Sequence, residues 1–337
     1  MRRFALLSCS LALLVVAGTA GAQPKAPSWA TPQIKAVVDA GLMAPSVPAF
    51  RPDDALTAGE LSIVLASLGV EVAVDDLDRV VTIRELNAQL VTAVGLRPEA
   101  REIRLEAERA GLAPKPWLGT ETVARLLGLR VNHLLAYDER ELQVSQPATR
   151  AEAAYSLARV LSIEQWDYDA VFTSTSSFAL PELGSWQRTV LRRALRFVGS
   201  PYIWAGTSER PQQLFGKTLP GGFDCSGLVW RVYKLEAFAG APALAAVLKG
   251  RTSFAMSGEV ARSARIARAD LQPGDLAFFG SRGPRSKPAE VGHMGIYLGN
   301  GWMAHSSGRG TTLVPMTGWY ETSFAWGRRP LAEAGLS

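Results

Sequence analysis

The sequence lacks the features that mark several common classes of protein. Its 337 residues include only two cysteines, which excludes a disulfide-stabilised scaffold. No dense lysine or arginine run accompanies the net charge of +5, so no nucleic-acid partner is predicted, although this charge suits an anionic polymer or surface. With 47% hydrophobic and 20% charged residues, the chain is too apolar to be disordered and long enough for roughly two domains.

The one long apolar run lies near the N-terminus. Two arginines precede the apolar stretch 6–16, and Ala20-Gly21-Ala22 has the small-residue pattern of a signal-peptidase site. The run is too short to span a membrane comfortably, and no other segment approaches that length. We therefore expect residues 1–22 to be a signal peptide, and the mature protein to be secreted without a transmembrane segment.

Cleavage there would also remove Cys9 and leave Cys225 as the one thiol. An odd cysteine in an exported protein is either reactive or simply a small buried apolar residue, and the count alone does not decide between these readings.

Residues 23–163 are predicted to form a mostly helical domain. A Thr-x-x-Glu motif followed by an amphipathic run occurs three times, at 57–60, 82–85 and 149–152. Each motif predicts a capping box, in which the threonine hydroxyl accepts from the backbone N–H three residues later. The glutamate carboxylate in turn accepts from the backbone N–H of the threonine. The Ser/Thr-rich stretch 164–184 is the expected linker, and 185–337 is expected to be an α+β domain.

The segment around Cys225 is suited to nucleophilic chemistry. Asp224 is a good helix cap, and apolar residues at helical spacing follow it, which predicts that Cys225 lies in the first turn of a helix. Unpaired backbone N–H groups and the helix dipole at that position favour a thiolate, which is the nucleophilic form of cysteine. A structural cysteine at the same position is the alternative.

Two of the three histidines lie on a predicted hairpin. His133 falls in the helical region and is expected to be structural, whereas His293 and His305 flank the turn signal at 299–301. A three-residue loop would place His293 opposite Ser307 with His305 on the same face, whereas a strict two-residue turn would separate the histidines. The geometry therefore depends on the loop length or on a bulge. One imidazole could then act as base and the other could orient it. A metal pair is the alternative, but no third ligand other than Cys225 is evident.

Several motifs together resemble a known family over residues 187–332. The motifs are Pro201-Tyr202-x-Trp204, Asp224-Cys225-Ser226-Gly227-Leu228-Val229, Leu271-Gln272-Pro273-Gly274-Asp275-Leu276, Gly292-His293-Met294-Gly295-Ile296-Tyr297 and His305. Their order and spacing resemble those of the NlpC-type cell-wall peptidases, which are papain-like cysteine enzymes. The resemblance implies an antiparallel sheet packed with helices and no metal or cofactor.

The same resemblance implies roles for individual residues. Cys225 would be the nucleophile, His293 the general base and His305 the residue that orients it. The hydroxyl of Tyr202 would lie by the oxyanion, and Asp224 and Ser226 would help to hold the substrate. Asp224 would cap the helix, accept the free amine of a stem peptide, or do both.

The implied function is that of a secreted, cell-wall-associated peptidoglycan hydrolase. Its substrate would be the stem peptide, and the expected bond joins D-glutamate to the diamino acid and is cleaved through a thioester. Alternatives are an amidase or acyl transferase with the same fold, and a non-catalytic wall-binding protein. The stretches 207–221 and 281–289 look longer than in a minimal family member, either as surface insertions or as walls that narrow substrate choice.

The helical region in turn resembles S-layer homology repeats. One complete repeat is indicated by Trp29, the helix pattern 34–42, Phe50-Arg51-Pro52-Asp53-Asp54 and the motif 57–60. The stretch 149–161 resembles the second half of another repeat. This resemblance implies binding of an anionic cell-wall polymer. The alternative is a helical packing module that positions the second domain.

Overall fold

The computed structural model describes residues 28–130 and 141–336. The expected signal peptide at 1–22, Cys9 and His133 lie outside the described residues. In the described part, no helix combines the length and the apolar character that crossing a membrane requires.

The first half of the described chain is helical, as the sequence predicts. Its helices are α1 (Thr31–Asp39), α2 (Ala58–Ser67), α3 (Ile83–Ala93), α4 (Arg97–Arg109), α5 (Leu118–Leu126), α6 (Arg150–Leu161) and α7 (Gln165–Ser176).

The three Thr-x-x-Glu motifs begin helices α2, α3 and α6, as predicted, and the expected capping box is present at the first two. Thr57 accepts from the N–H of Glu60 and its own N–H donates to the Glu60 carboxylate. At the second motif both the N–H and the hydroxyl of Thr82 donate to the Glu85 carboxylate. At the third, Thr149 caps the helix, whereas the glutamate carboxylate is buried within ion-pair distance of a buried arginine, Arg130.

The expected linker at 164–184 contains a helix. Within α7 the hydroxyl of Thr175 donates to the carbonyl of Val171, one turn earlier, and both residues are buried. A Ser/Thr-rich run continues a helix when its hydroxyls are satisfied in this way. Beyond α7, Phe178 packs edge-on against Trp302 with ring centroids 4.9 Å apart. The segment is therefore packed structure and not a flexible connection.

The C-terminal part combines helices with an antiparallel sheet. Its elements are α8 (Ser185–Leu195), β1 (Thr207–Ser208), β2 (Gln212–Leu214), β3 (Lys217–Leu219), β4 (Gly222–Phe223), α9 (Cys225–Tyr233), α10 (Pro242–Val247), α11 (Ser253–Gly258), β5 (Leu276–Gly280), β6 (Val291–Gly299), β7 (Trp302–Ser307), β8 (Gly310–Pro315), α12 (Trp319–Ser323), β9 (Phe324–Arg328) and α13 (Pro330–Glu333).

Five of these strands form one sheet in the order β8-β7-β6-β5-β9, with every neighbouring pair antiparallel. Helix α9 packs on β6 and β7. This packing brings the start of α9 to the strands that carry the two histidines.

A continuous apolar core connects the two halves of the molecule. Buried side chains of one cluster include Leu86 of α3, Leu157 of α6, Leu191 of α8, Leu228 of α9 and Ile296 of β6. The helical region and the sheet domain therefore bury apolar surface against each other.

Candidate active site

Cys225 is the first residue of α9, as predicted, and Asp224 caps that helix by accepting from the N–H of Gly227. The thiol interacts with the backbone N–H of Met294, the residue after His293, and with that of Ser226. The nucleophile candidate therefore lies against the strand that carries the base candidate. Cys225 is the free cysteine of the described residues.

The protonation of this thiol differs from the expectation for a helix N-terminus. Burial, and secondarily the charge of Asp224, raises the pKa of Cys225 to about 11, although the N–H groups of Met294 and Ser226 act in the opposite direction. Desolvation is the largest influence on this pKa because the cysteine lies where α9 packs on β6. In the absence of substrate, the resting form at neutral pH is the thiol.

The hairpin has the register expected of a three-residue loop, but residues 300–301 alone join the strands and a bulge supplies the offset. Ile296 pairs with Ala304 and Tyr297 with Met303, and a bulge follows before the turn. Asn300 has a positive φ of 47°, a left-handed conformation that asparagine tolerates in tight turns. This register places His293 and His305 on the same face of the sheet.

The two imidazoles form a directed pair. Nε2 of His293 lies 2.9 Å from Nδ1 of His305, and the ring planes are 88° apart. If Nε2 of His293 carries the hydrogen and donates it to His305, Nδ1 of His293 is left with a free lone pair. His305 is fully buried, so this contact fixes the orientation of the His293 ring.

Glycine is required between the two histidines. A Cβ at Gly295 would lie 2.8 Å from Sδ of Met303, 3.1 Å from the carbonyl oxygen of Ala304 and 3.2 Å from Cβ of His305. The absent side chain therefore lets β7 approach β6 closely enough for the imidazole pair to form.

Aromatic side chains, which the sequence reasoning missed, enclose the imidazoles. The ring centroids of Phe279, Trp319 and Tyr320 lie 5.8, 6.1 and 6.0 Å from that of His293. Burial lowers the pKa of His293 to about 4 and that of His305 well below its usual value. Both rings are consequently neutral at pH 7. Trp319 and Tyr320 lie late in the chain, and no periodic pattern in the sequence indicates that they contact His293.

Tyr202 lies close enough to the thiol for the two groups to interact electrostatically. Its backbone bridges to Phe223 in parallel fashion, directly before the helix cap. Burial, followed by the charges of Cys225 and Asp224, raises the pKa of Tyr202 to about 12. The hydroxyl therefore keeps its proton and can act as a hydrogen-bond donor near the sulfur.

Asp224 and Ser226 belong to a network whose centre, Arg251, the sequence reasoning missed. Arg251 donates to Oγ of Ser226 at 2.8 Å and lies 3.2 Å from Oδ2 of Asp224. The N–H of Ala205 also donates to Oδ2 of Asp224 at 2.9 Å. The predicted capping role of Asp224 is confirmed, and both of its oxygens already have protein donors. A residue 26 positions after the cysteine in a loop offers no local pattern that would reveal this contact.

The two longer stretches take different forms. Residues 207–221 build β1 and the β2–β3 hairpin, whereas 281–289 forms tight turns between β5 and β6. In the second stretch, a Cβ at Gly283 would lie 2.7 Å from the carbonyl oxygen of Thr322, so the loop packs tightly on the end of α12.

The helical region reaches the site through one fully buried arginine. Arg125 of α5 donates to the carbonyls of Gly199, at 3.2 Å, and of Arg309. Its other donors pair with Glu121 at 2.8 Å and Glu141 at 2.7 Å. Gly199 leads into the segment that carries Tyr202, and Arg309 lies in the turn after His305. Arg125 therefore connects the helical region to both sides of the site.

Comparisons with known proteins agree with this architecture. Residues 199–329 match the NlpC/P60 family. The chain is 35% identical over 142 residues to a probable endopeptidase of Mycobacterium tuberculosis, a match that covers 41% of this chain and 29% of that protein. It is 32% identical over 123 residues to the bifunctional muramidase/DL-endopeptidase of Bacillus subtilis, covering 36% and 30% of the two chains.

A further relative is the murein DD-endopeptidase of Escherichia coli K12, 32% identical over 126 residues, with 37% and 38% of the two chains covered. The chain thus spans 38% or less of the length of these relatives. The family match confirms the expected fold class, α+β with a papain-like domain behind a helical region. It does not extend into that helical region.

Proposed function

Because residues 199–329 form an NlpC/P60 domain, we propose that this protein is a peptidoglycan hydrolase that cleaves an amide bond of the stem peptide. The bond proposed is that between D-glutamate and the diamino acid, as the sequence motifs imply. The single observation that carries the proposal is the alignment of thiol and imidazoles: Cys225 against the backbone of Met294, and His293 bonded to His305. Such an order of nucleophile, base and orienting group supports acyl transfer.

The resting charges determine how the reaction begins. The thiol of Cys225 and the ring of His293 are both neutral at pH 7. Nδ1 of His293 takes the thiol proton as the sulfur attacks the carbonyl carbon, and the electron pair of the carbonyl double bond moves to oxygen. Backbone N–H groups at the start of α9 and the hydroxyl of Tyr202 stabilise this oxyanion.

Collapse of the tetrahedral intermediate breaks the carbon–nitrogen bond. The imidazolium of His293 gives its proton to the leaving amine, and a thioester remains on Cys225. Water, activated by the same imidazole, then cleaves the thioester and restores the thiol. The bond to His305 keeps the ring of His293 oriented through both steps.

An amidase or acyl transferase would use the same thioester, so product analysis has to separate the candidates. Defined stem peptides are incubated with the full chain and with Cys225→Ala, and products are identified by mass spectrometry. We expect cleavage after D-glutamate by the unmodified chain alone. Another scissile bond that still depends on Cys225 would support the amidase or transferase, and no cleavage of any substrate would favour a wall-binding protein.

We infer an extracytoplasmic, cell-wall location from the N-terminal signal pattern at 1–22 and from the wall-directed names of the relatives. N-terminal sequencing of the protein secreted by its host tests this location. A chain that begins at Gln23 is expected, and an intact N-terminus would contradict the proposal.

We propose that the first role of the helical region is to hold the backbone around the active site in position. The contacts of Arg125 support this role. The Thr-x-x-Glu helix starts support polymer binding as a second role. Sedimentation of Cys225→Ala with purified walls, before and after extraction of their anionic polymers, tests the second role. Equal retention on both wall preparations would contradict polymer binding.

A further inference from the structure

A strongly cationic pocket of about 690 Å³ lies beside the active site. Four side chains that line it carry positive charge and have no carboxylate within ion-pair distance among residues 28–130 and 141–336; they are Arg262, Arg265, Arg285 and Lys287. A fifth cation, Arg268, is paired with Glu321 at 2.7 Å. Like charges gathered around one cavity repel each other unless an anion neutralises them.

Arg265 carries the clearest mark of an unmet interaction. Its guanidinium carbon lies 3.5 Å from the centroid of the Trp326 ring, which fixes the plane of the group. Its Nε is buried without a hydrogen-bond partner in the described chain. Burial, and then the charge of Arg262, lowers the pKa of Arg265. A bound anion would offset the repulsion between Arg262 and Arg265.

The loop that supplies Arg285 and Lys287 is held in place. Oγ of Ser286 accepts from the N–H of Arg282 at 3.1 Å, and Gly283 packs directly on the carbonyl of Thr322. The cations are therefore presented by a fixed turn, which reduces the entropy that a ligand would otherwise lose on binding.

We propose that this pocket binds a polyanion with two or more neighbouring phosphate groups. Guanidinium groups recognise phosphate through paired hydrogen bonds, and several of them around one cavity match a ligand with repeated charges. The pocket and the candidate active site share α12: Glu321 lines the pocket, and the ring of Trp319 in the same helix lies near that of His293. Binding itself does not depend on the proposed hydrolytic activity.

Calorimetric titration of the full chain with sodium tripolyphosphate tests the proposal. The variant Arg262→Gln/Arg285→Gln is compared with Arg97→Gln/Arg101→Gln, which removes the same charge from exposed positions on α4. We expect the pocket variant to bind about tenfold or more weakly, because charge-assisted hydrogen bonds are lost, and the α4 variant to bind like the unmodified chain. All four positions are exposed, so both variants should fold.

Absence of binding to the unmodified chain, or equal weakening by both pairs, would overturn the proposal. Poly-glutamate binding as tightly as tripolyphosphate would overturn the assignment to phosphate. The source of the phosphate is separated by two further probes, a soluble poly(glycerol phosphate) and vesicles of 30% phosphatidylglycerol in phosphatidylcholine. Binding to either probe that the pocket variant loses supports the proposal and identifies the source as polymer or lipid headgroup.

Discussion

At the scale of single residues, burial governs the protonation of the candidate site. The enclosure of Cys225 raises the pKa of its thiol to about 11, while the aromatic surroundings of His293 lower the pKa of its imidazole to about 4. Both shifts favour the neutral forms. At neutral pH these pKa values correspond to a neutral thiol and a neutral imidazole.

The first prediction concerns the reactivity of this thiol. Because only the thiolate is alkylated and its pKa is raised, the rate of alkylation of Cys225 by iodoacetamide should rise steadily with pH, without reaching a plateau below about pH 9. The rate is measured from pH 5 to 10 by mass spectrometry on the full chain. A plateau at or below pH 8 would show that the thiolate already predominates at rest.

The second prediction concerns His305. His305→Ala removes the acceptor that orients His293, so kcat should fall on the order of a hundredfold. His305→Asn offers a side-chain oxygen as acceptor and should recover a large part of that loss. Steady-state kinetics on a defined stem peptide give kcat for both variants. Equal activity of the alanine variant and the unmodified chain would refute the orienting role.

At the scale of elements, the sequence predicts most of what local pattern determines. The cap of α9, the helix starts after the three threonines and the register of the histidine hairpin all follow from residues close together in the chain. The helix in the supposed linker was missed because its hydroxyls bond back to its own carbonyls. Arg251 and Tyr320 reach the site through tertiary contacts, which no periodicity in the sequence reports.

The third prediction tests the close approach of β6 and β7. Gly295→Ala forces a Cβ against Met303 and His305, which should cost about 1–3 kcal/mol of unfolding free energy and separate the imidazoles. Gly292→Ala is the matched control, since a Cβ there meets no atom within 4 Å. Thermal unfolding and kcat are measured for both. Similar effects of the two substitutions would contradict the steric account.

At the scale of the whole molecule, buried charge joins the helical region to the catalytic domain. The ion pairs of Arg125 are almost completely shielded from water, and its remaining donors reach two carbonyls of the other domain. Arg130 pairs with the same two glutamates, so removing Arg125 would leave two buried carboxylates with one arginine in place of two. The contacts of this arginine thus contribute to the stability of both regions together.

The fourth prediction compares two helical ion pairs with the same four-residue separation in sequence. Arg125→Met should lower the unfolding free energy by about 3–5 kcal/mol, because Glu121 and Glu141 each lose one of their two buried arginine partners, Arg125, and keep the other, Arg130. Arg104→Met breaks a partly exposed pair with Glu108 and should cost less than about 1 kcal/mol. Denaturant titration provides both values. Equal costs would mean that the buried cluster has no special role.

The continuous core also bears on how such a chain can change by recombination. Domains that each have their own hydrophobic core can be exchanged between proteins by changing only the segment that connects them. Here Leu157, Leu191 and Leu228 pack in one interior, so replacing the helical half would remove part of the lining on which the catalytic half depends. The two halves are therefore expected to be inherited together and to accumulate compensating substitutions across their boundary.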